Sequence, residues 1–191
     1  GVIRPNLSNA VTVLQHDPLW APATLWHDEF LDRIIIANSP TRQWRDDDDT
    51  RLTVYMQQTI GMLNVPESIV SSAVRYVARQ RTRHCVRDYL DGLAWDGVER
   101  IAHAFEDFWG AETDANQPSD YVRAASANFF VGAVARIYRP GCQLDTMPVF
   151  EGLQGLGKSS LLRALGGAWY MAATESVNSK DFQQSFPGSW F

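Results

Sequence analysis

Apolar residues recur three and four positions apart over most of the first 110 residues, and this spacing predicts helices. Asn6 is placed to cap the first helix, which ends before Asp17 and Pro18. Pro66 suits the first turn of a later helix, and Gly110 ends the last. The predicted apolar stripes are Leu7, Val11 and Leu14; Leu52, Tyr55, Met56, Ile60 and Leu63; Ile69, Val70, Ala73, Val74, Val77 and Ala78; Val86, Tyr89, Leu90 and Leu93; and Val98, Ile101, Ala102, Phe105, Phe108 and Trp109.

Two short apolar runs interrupt this helical pattern. Residues 25–27 and 33–36 have the composition of strands, and Asp28, Glu29 and Phe30 lie between them. This arrangement predicts a small β-hairpin inside a mainly helical region.

Two local features invite a functional interpretation. The acidic run at residues 46–49 is either a metal site or a solvated loop whose last aspartates cap the next helix. Consecutive carboxylates point in different directions from one segment, which favours the loop.

Trp95, Asp96 and Gly97 predict a turn with an aromatic plug.

The pattern changes after a polar segment at residues 111–118, which is predicted to be a linker. Ser119 or Asp120 then caps a helix that runs to about Tyr138 and is apolar on nearly all sides. Such a helix is typically buried, and here we expect it to pack beside a sheet. The apolar residues 147–150 predict a strand of that sheet.

The predicted architecture therefore has two parts. Residues 1–115 are expected to form a mainly α N-terminal domain with a small β-hairpin. Residues 119–191 are expected to begin an α/β domain of the P-loop nucleoside triphosphatase class, which is incomplete in this chain.

A phosphate-binding motif, Gly-x4-Gly-Lys-Ser, directly follows the predicted strand. Its glycines let the backbone curl so that several N–H groups point at phosphate oxygens. Lys158 is placed to reach the β- and γ-phosphates and to neutralise the charge that develops on them, and the Ser159 hydroxyl is placed to ligate Mg²⁺. A helix starting near Lys158 adds the positive end of its dipole. The residues predicted to hold ATP are Gly152, Leu153, Gln154, Gly155, Leu156, Gly157, Lys158, Ser159 and Ser160.

A glycine-rich turn without a ligand is the other interpretation of this motif. The order of the surrounding elements disfavours it, because an apolar run enters the loop and a helical pattern leaves it. Gly166 and Gly167 then supply a stop signal for the helix. Binding of ATP with Mg²⁺ is therefore the firmest functional prediction from the residues alone.

A cluster of arginines is the second candidate site. Five lie within thirteen positions, although the whole chain has a net charge of −5, so any contact with nucleic acid has to be a local patch. Arg75, Arg79 and Arg83 are the candidates for contact with a phosphate backbone. Arginines that only keep an exposed helix soluble are the alternative.

Composition excludes other classes of protein. Cys85 and Cys142 lie far apart in a chain without a signal peptide, which predicts a reducing, cytoplasmic setting and no disulfide framework. No second Cys/His pair accompanies His84 and Cys85, so a zinc site is not expected. No apolar stretch approaches the length of a membrane span.

Carboxylates that would complete an ATPase are not evident after the motif. Hydrolysis needs an acidic residue at the end of a second strand, and neither Glu175 nor Asp181 follows a convincing apolar strand. Residues 189–191 look like the opening of such a strand. We therefore expect a truncated ATPase that hydrolyses ATP poorly or not at all by itself.

Several landmarks together resemble the virulence-associated E family in order and spacing. They are Arg87-Asp88-Tyr89-Leu90, Trp95-Asp96-Gly97, Arg136 with Pro140-Gly141, the motif at residues 152–159, and Lys180-Asp181 followed by residues 186–190. Members of this family are P-loop ATPases of phages, prophages and mobile islands, related to superfamily III and AAA+ motors and often joined to a primase.

The resemblance implies a replicative DNA helicase or translocase that acts as a homo-oligomeric ring when full length. The Walker B acids, sensor residues and arginine finger of such a motor would lie beyond Phe191. Only nucleotide binding by the loop carries over residue by residue. A nucleotide-gated switch, for instance a phage-defence ATPase that does not unwind DNA, is the alternative function, and a plain protein-interaction module is a third possibility for the N-terminal domain.

Overall fold

The computed structural model describes residues 3–20, 25–37, 40–116, 118–172 and 188–191. The chain divides into two compact units, Gly1–Asp88 and Tyr89–Phe191. The polar segment at 111–118 therefore lies inside the second unit, while the functional assignment of residues 1–115 and 119–191 to separate domains stays a prediction.

The first unit combines three helices with one small sheet, which confirms a mainly helical region that contains a hairpin. Its elements are α1 (Leu7–His16), a 3-10 turn (Pro18–Trp20), β1 (Leu25–Asp28), β2 (Arg33–Ile36), β3 (Arg42–Gln43), α2 (Asp46–Gln58), α3 (Glu67–Arg79) and β4 (Thr82–Arg83).

The predicted hairpin of β1 and β2 is the centre of a four-stranded sheet with the order β3-β2-β1-β4. Strand β3 adds antiparallel to β2, and β4 adds parallel to β1. Asp28 holds the hairpin turn, because its Oδ1 accepts the N–H groups of Phe30 at 3.0 Å and Leu31 at 3.1 Å. The two edge strands were not predicted, since two residues are too few to show a strand pattern.

Helix α3 packs on this sheet, and helices α1 and α2 pack against α3, so that all three share one core with the sheet. Asn6 caps α1 as predicted, with its Oδ1 accepting the Asn9 N–H at 2.9 Å. The core includes Leu14 of α1 and Leu25 of β1, and burial of each such side chain contributes about 1.5–3 kcal/mol. Side chains alternate along a strand, so Trp26, the neighbour of Leu25, lies on the opposite face of the sheet.

The acidic run forms the first turn of α2 and not a loop, but the predicted capping of this helix by an aspartate is confirmed at Asp48. Asp48 is buried and receives two hydrogen bonds from Arg42, at 2.6 and 2.7 Å. Its Oδ2 also accepts the Arg45 N–H at 2.9 Å, which closes the start of the helix. No group of three or more metal-ligating side chains occurs in the described part of the chain.

The elements assigned among the described residues of the second unit are all helical. Helix α4 (Cys85–Asp91) spans the boundary between the units, and the later elements are α5 (Ala104–Asp107), α6 (Ser119–Tyr138), α7 (Lys158–Gly166) and a 3-10 turn (Gly167–Trp169).

The long helix predicted around residues 98–109 is reduced to α5. Asp96 captures the preceding segment, because it accepts the Val98 N–H at 3.1 Å and forms two hydrogen bonds with Arg100 at 2.9 and 2.7 Å. Trp95 is 78% exposed, so the turn exists but the predicted aromatic plug does not.

Helix α6 has the predicted bounds, but it is not buried on all sides. Its inner face carries Val122, Ser126, Gly132 and Ile137, while Val131 on the outer face is 61% exposed. An apolar sequence makes burial favourable, yet burial also needs a neighbouring element on each side. Only one side has such a neighbour among the described residues.

The segment expected to be a strand at residues 147–150 is extended but unpaired. Side chains alternate between inner Leu144, Pro148 and Phe150 and outer Met147 and Val149, which are 81% and 70% exposed. None of its backbone N–H groups is hydrogen-bonded to a described residue, and a strand requires such a partner. The α/β character of the second unit therefore stays a prediction.

Candidate functional site

The loop at residues 152–157 makes sharp turns at its three glycines. Gly152, Gly155 and Gly157 have φ values of +149°, +91° and +78°. A Cβ on Gly155 or Gly157 would meet nothing within 4 Å, so a larger side chain would have space there. Glycine is favoured at these positions because of the positive φ of the backbone.

The end of the loop leaves several backbone N–H groups without a partner among the described residues. Helix α7 begins at Lys158, as predicted, and its first hydrogen bond runs from the Leu161 N–H to the Gly157 carbonyl at 3.0 Å. The N–H groups of Gly157, Lys158, Ser159 and Ser160 donate to no described residue. Unpaired N–H groups together with the positive end of a helix dipole favour an anion at this position.

Lys158 lies across the loop that precedes it. Its Nζ donates to the carbonyl oxygens of Gly152 at 3.0 Å and Leu153 at 2.9 Å. These bonds hold the ammonium group against the first turn of the loop. Its role as the phosphate-binding cation of the motif stays a prediction.

The remaining loop residues face solvent. Leu153 and Leu156 are 79% and 63% exposed, and Ser159 and Ser160 are exposed as well. The Ser159 hydroxyl has no hydrogen-bond partner among the described residues, which leaves it available to a metal ion or to water. Its role as a ligand of Mg²⁺ remains a prediction.

An aromatic cluster fixes the chain where it enters the loop. Phe150 stacks on Trp109 with ring centroids 5.3 Å apart, and it meets the edge of Phe105 at 5.0 Å. Phe129 of α6 completes the cluster. The sequence indicated that the aromatic residues of 98–109 are structural, but it gave no indication that Phe150 joins them.

The other end of α7 is anchored by close backbone packing. A Cβ on Gly166 would lie 2.8 Å from the Tyr170 Cβ and 3.0 Å from the Phe191 Cβ, so only glycine fits without a shift. The Met171 N–H donates to the Phe191 carbonyl and the Phe191 N–H to the Trp169 carbonyl, which is the pattern of parallel strands. No strand is assigned at these residues, so the strand expected to open at residues 189–191 stays a prediction.

The structure does not bring the three candidate arginines together. Arg75 and Arg79 are exposed on the outer face of α3, whereas Arg83 lies over the Trp26 ring at 5.1 Å, on the far face of the sheet. Arg83 also forms a salt bridge with Asp88 at 2.9 Å. Sequence spacing alone could not separate these residues, because the turn after α3 sends the chain into β4.

Other expectations concern the environment of the chain. In the described residues, no helix is long and apolar enough to span a bilayer. Cys85 and Cys142 form no disulfide with a described residue. The expectation of a cytoplasmic protein is not tested further by these observations.

Comparison with known proteins identifies the family of the chain. A family model for the virulence-associated protein E-like domain matches residues 90–191, which is just over half of the chain. The match begins where the second unit begins and includes the whole candidate loop. No curated protein matches the chain. The chain therefore belongs to the virulence-associated protein E-like family.

Proposed function

We propose that this chain binds ATP with Mg²⁺ at residues 152–160 and is the nucleotide-binding part of an ATP-driven DNA helicase or translocase of a phage or mobile element. The observation that supports this most directly is the contact of Lys158 Nζ with the loop carbonyls of Gly152 at 3.0 Å and Leu153 at 2.9 Å, in a loop that ends in four N–H groups without a partner among the described residues. The family match supports the same proposal, since it covers the loop. Cytoplasmic location and ring assembly of the full-length protein belong to the proposal as well.

Each group has a distinct task in this proposal. The N–H groups of residues 157–160 donate to phosphate oxygens, and the α7 dipole adds to the attraction. Lys158 leaves the Gly152 and Leu153 carbonyls and moves to the β- and γ-phosphates, exchanging two neutral acceptors for charged ones. Ser159 ligates Mg²⁺, which neutralises part of the remaining phosphate charge.

Replacement of Lys158 by Ala tests the assignment. We expect affinity for ATP–Mg²⁺ to fall by at least about tenfold, because a charge-assisted hydrogen bond contributes roughly 1.5–3 kcal/mol. Isothermal titration calorimetry measures the change. Arg163→Ala is the matched control, since Arg163 lies on the same helix but contacts the Tyr170 ring at 5.5 Å. Equal affinity of wild type and Lys158→Ala would refute the proposal.

A nucleotide-gated switch without unwinding activity is the second candidate. It is favoured by the two bonds of Lys158 to its own loop, because nucleotide binding must replace them and so must change the loop. The two candidates differ in one measurement on the full-length protein. Single-stranded DNA at low salt stimulates the ATPase activity of a helicase, whereas it leaves that of a switch unchanged.

A further inference from the structure

Helices α1 and α3 present a continuous outer face that the proposed ATP site does not use. The two helices pack against each other, and the Gln15 Nε2 donates to the Gln80 Oε1 at 3.1 Å across their C-terminal ends. We call this surface the α1–α3 face and define it by Gln15, His16, Arg75, Tyr76, Arg79 and Gln80.

This face is positive in a chain that is negative overall. Residues 7–16 and 68–87 contain no carboxylate at all, although the net charge of the chain is −5. Arg75 donates only to the Ser72 hydroxyl at 3.2 Å, and neither Arg75 nor Arg79 forms a salt bridge with any described residue. Glu67 of α3 lies about 12 Å before Arg75 along the helix axis. Two guanidinium groups thus face solvent with no salt-bridge partner in the described part of the chain.

An exposed aromatic ring lies beside these charges. Tyr76 is 54% exposed, and with Arg75, Arg79 and Gln80 it occupies an arc of about 140° on α3. The buried residues of α3 occupy the opposite side, and Tyr76 is not among them. Arginines bind phosphates, and an exposed tyrosine offers a stacking surface to an unpaired base.

From this combination we infer that the α1–α3 face binds single-stranded nucleic acid. The arginines hold two phosphates, Tyr76 stacks on a base, and the glutamine amides offer further hydrogen bonds. A double helix hides the faces of its bases, so the tyrosine favours a single strand. Binding at this face does not depend on the phosphate loop, which lies outside residues 1–88. The inference rests on the proposed function only where it assigns the face a role in a DNA-dependent motor.

The test is fluorescence anisotropy of a labelled 20-nucleotide oligo-dT with the whole chain, without nucleotide, over a series of salt concentrations. Arg75→Ala with Arg79→Ala should weaken binding at least about tenfold and lower the slope of log K against log salt by about 1.4, or 0.7 per phosphate. Tyr76→Leu should weaken binding at least about fivefold and leave the slope unchanged. All variants are checked for an unchanged thermal unfolding curve.

Matched controls separate this face from general charge. Arg83→Ala removes a guanidinium from the other side of the unit, and Tyr121→Leu removes a tyrosine that is 62% exposed in the second unit. Both should bind oligo-dT like the wild type. Three results would each overturn the inference: no binding by the wild type at low salt, an equal loss in Arg83→Ala, or displacement of oligo-dT by poly-glutamate at the same charge concentration. The last result would indicate an acidic protein partner. Because the assay contains no ATP, its failure is distinct from a failure of the proposed ATP site.

Discussion

Asp48 is a buried carboxylate that the sequence placed in an exposed loop. The guanidinium of Arg42, by its hydrogen bonds, lowers the pKa of Asp48 below the usual 3.8, and the Arg45 N–H acts in the same direction. Two charge-assisted hydrogen bonds in one bidentate pair make this residue the structural link between β3 and α2.

Replacement of Asp48 by Asn should reduce the free energy of unfolding by about 2 kcal/mol, since hydrogen bonds to charged groups contribute about 1.5–3 kcal/mol. Because the folded pKa is lowered, the stabilisation is complete above pH 3.8 and is lost as the pH falls through the folded pKa. Urea unfolding at pH 7 and at pH 3 measures both effects. Asp47→Asn, at the exposed neighbour, should cost only about 0.5 kcal/mol. Equal losses in the two variants would contradict the assignment.

His84 is a buried histidine that serves as a structural cap. Its Nδ1 accepts the Arg87 N–H at 3.3 Å at the start of α4, and its ring packs on Phe30 with centroids 5.3 Å apart. Burial lowers the pKa of His84 below the usual 6.5, and the charge of Arg87 lowers it further, against the opposing effect of Asp28 and Glu29. A protonated ring can no longer accept this hydrogen bond.

The wild type should therefore lose stability as the pH falls below about 6.5, by up to about 1.4 kcal/mol per pH unit, because the unfolded chain binds the proton first. His84→Asn keeps an acceptor but does not titrate, so its free energy of unfolding should fall less between pH 7 and pH 5. Thermal unfolding over this range measures the difference. The exposed His16→Asn variant should follow the wild type; a His84→Asn curve parallel to both would contradict the account.

Among the elements, the loop leading into α7 shows how backbone conformation determines a binding site. The motif could be recognised in the sequence because each of its glycines is required by the local backbone, which has a positive φ there. This requirement depends little on the rest of the fold. The segment before it was predicted to be a strand, and it is extended with alternating faces but without a partner. Pairing depends on residues distant in sequence, so the local pattern predicts the conformation and not the hydrogen bonds.

Gly157 provides a test at this element. An alanine there has space but must adopt φ +78°, which costs about 1–2 kcal/mol. We expect Gly157→Ala to weaken ATP–Mg²⁺ binding about tenfold, because relaxation of the strain turns the N–H groups away from the phosphates. Asn tolerates this conformation better, so Gly157→Asn should retain more affinity. Fluorescence titration with a labelled ATP analogue measures both, and a weaker Asn variant would contradict the explanation.

Helix prediction failed where side chains compete with the backbone or where a neighbour is required. Asp96 captures the Val98 N–H and Arg100, so the pattern at 98–109 yields only the short helix α5. Helix α6 has the predicted ends but an exposed outer face, because hydrophobicity does not reveal which sides have a neighbour. In both cases the sequence shows which residues are apolar, but it does not show which neighbouring groups bind the backbone or cover the side chains.

For the molecule as a whole, the structure divides into compact units at a different point from the two predicted domains, whose assignment stays a prediction. The compact units separate after Asp88, and the family match begins at residue 90, whereas the polar segment at 111–118 attracted the predicted boundary. Composition identifies an exposed polar stretch, but it does not show that α5 and α6 pack together across it. The candidate arginines also show that sequence proximity does not predict position, because Arg79 and Arg83 are close in sequence but lie on opposite sides of the sheet.

The central claim is that residues 152–160 hold the phosphates of ATP, and amide hydrogen exchange of the wild-type chain tests it most directly. The N–H groups of residues 157–160 donate to no described residue, so they should exchange quickly in the free chain. Saturating ATP–Mg²⁺ should slow exchange in peptides that cover residues 152–161, and the Lys158→Ala variant should show no such protection. Unchanged exchange of these peptides in the wild type would contradict the account.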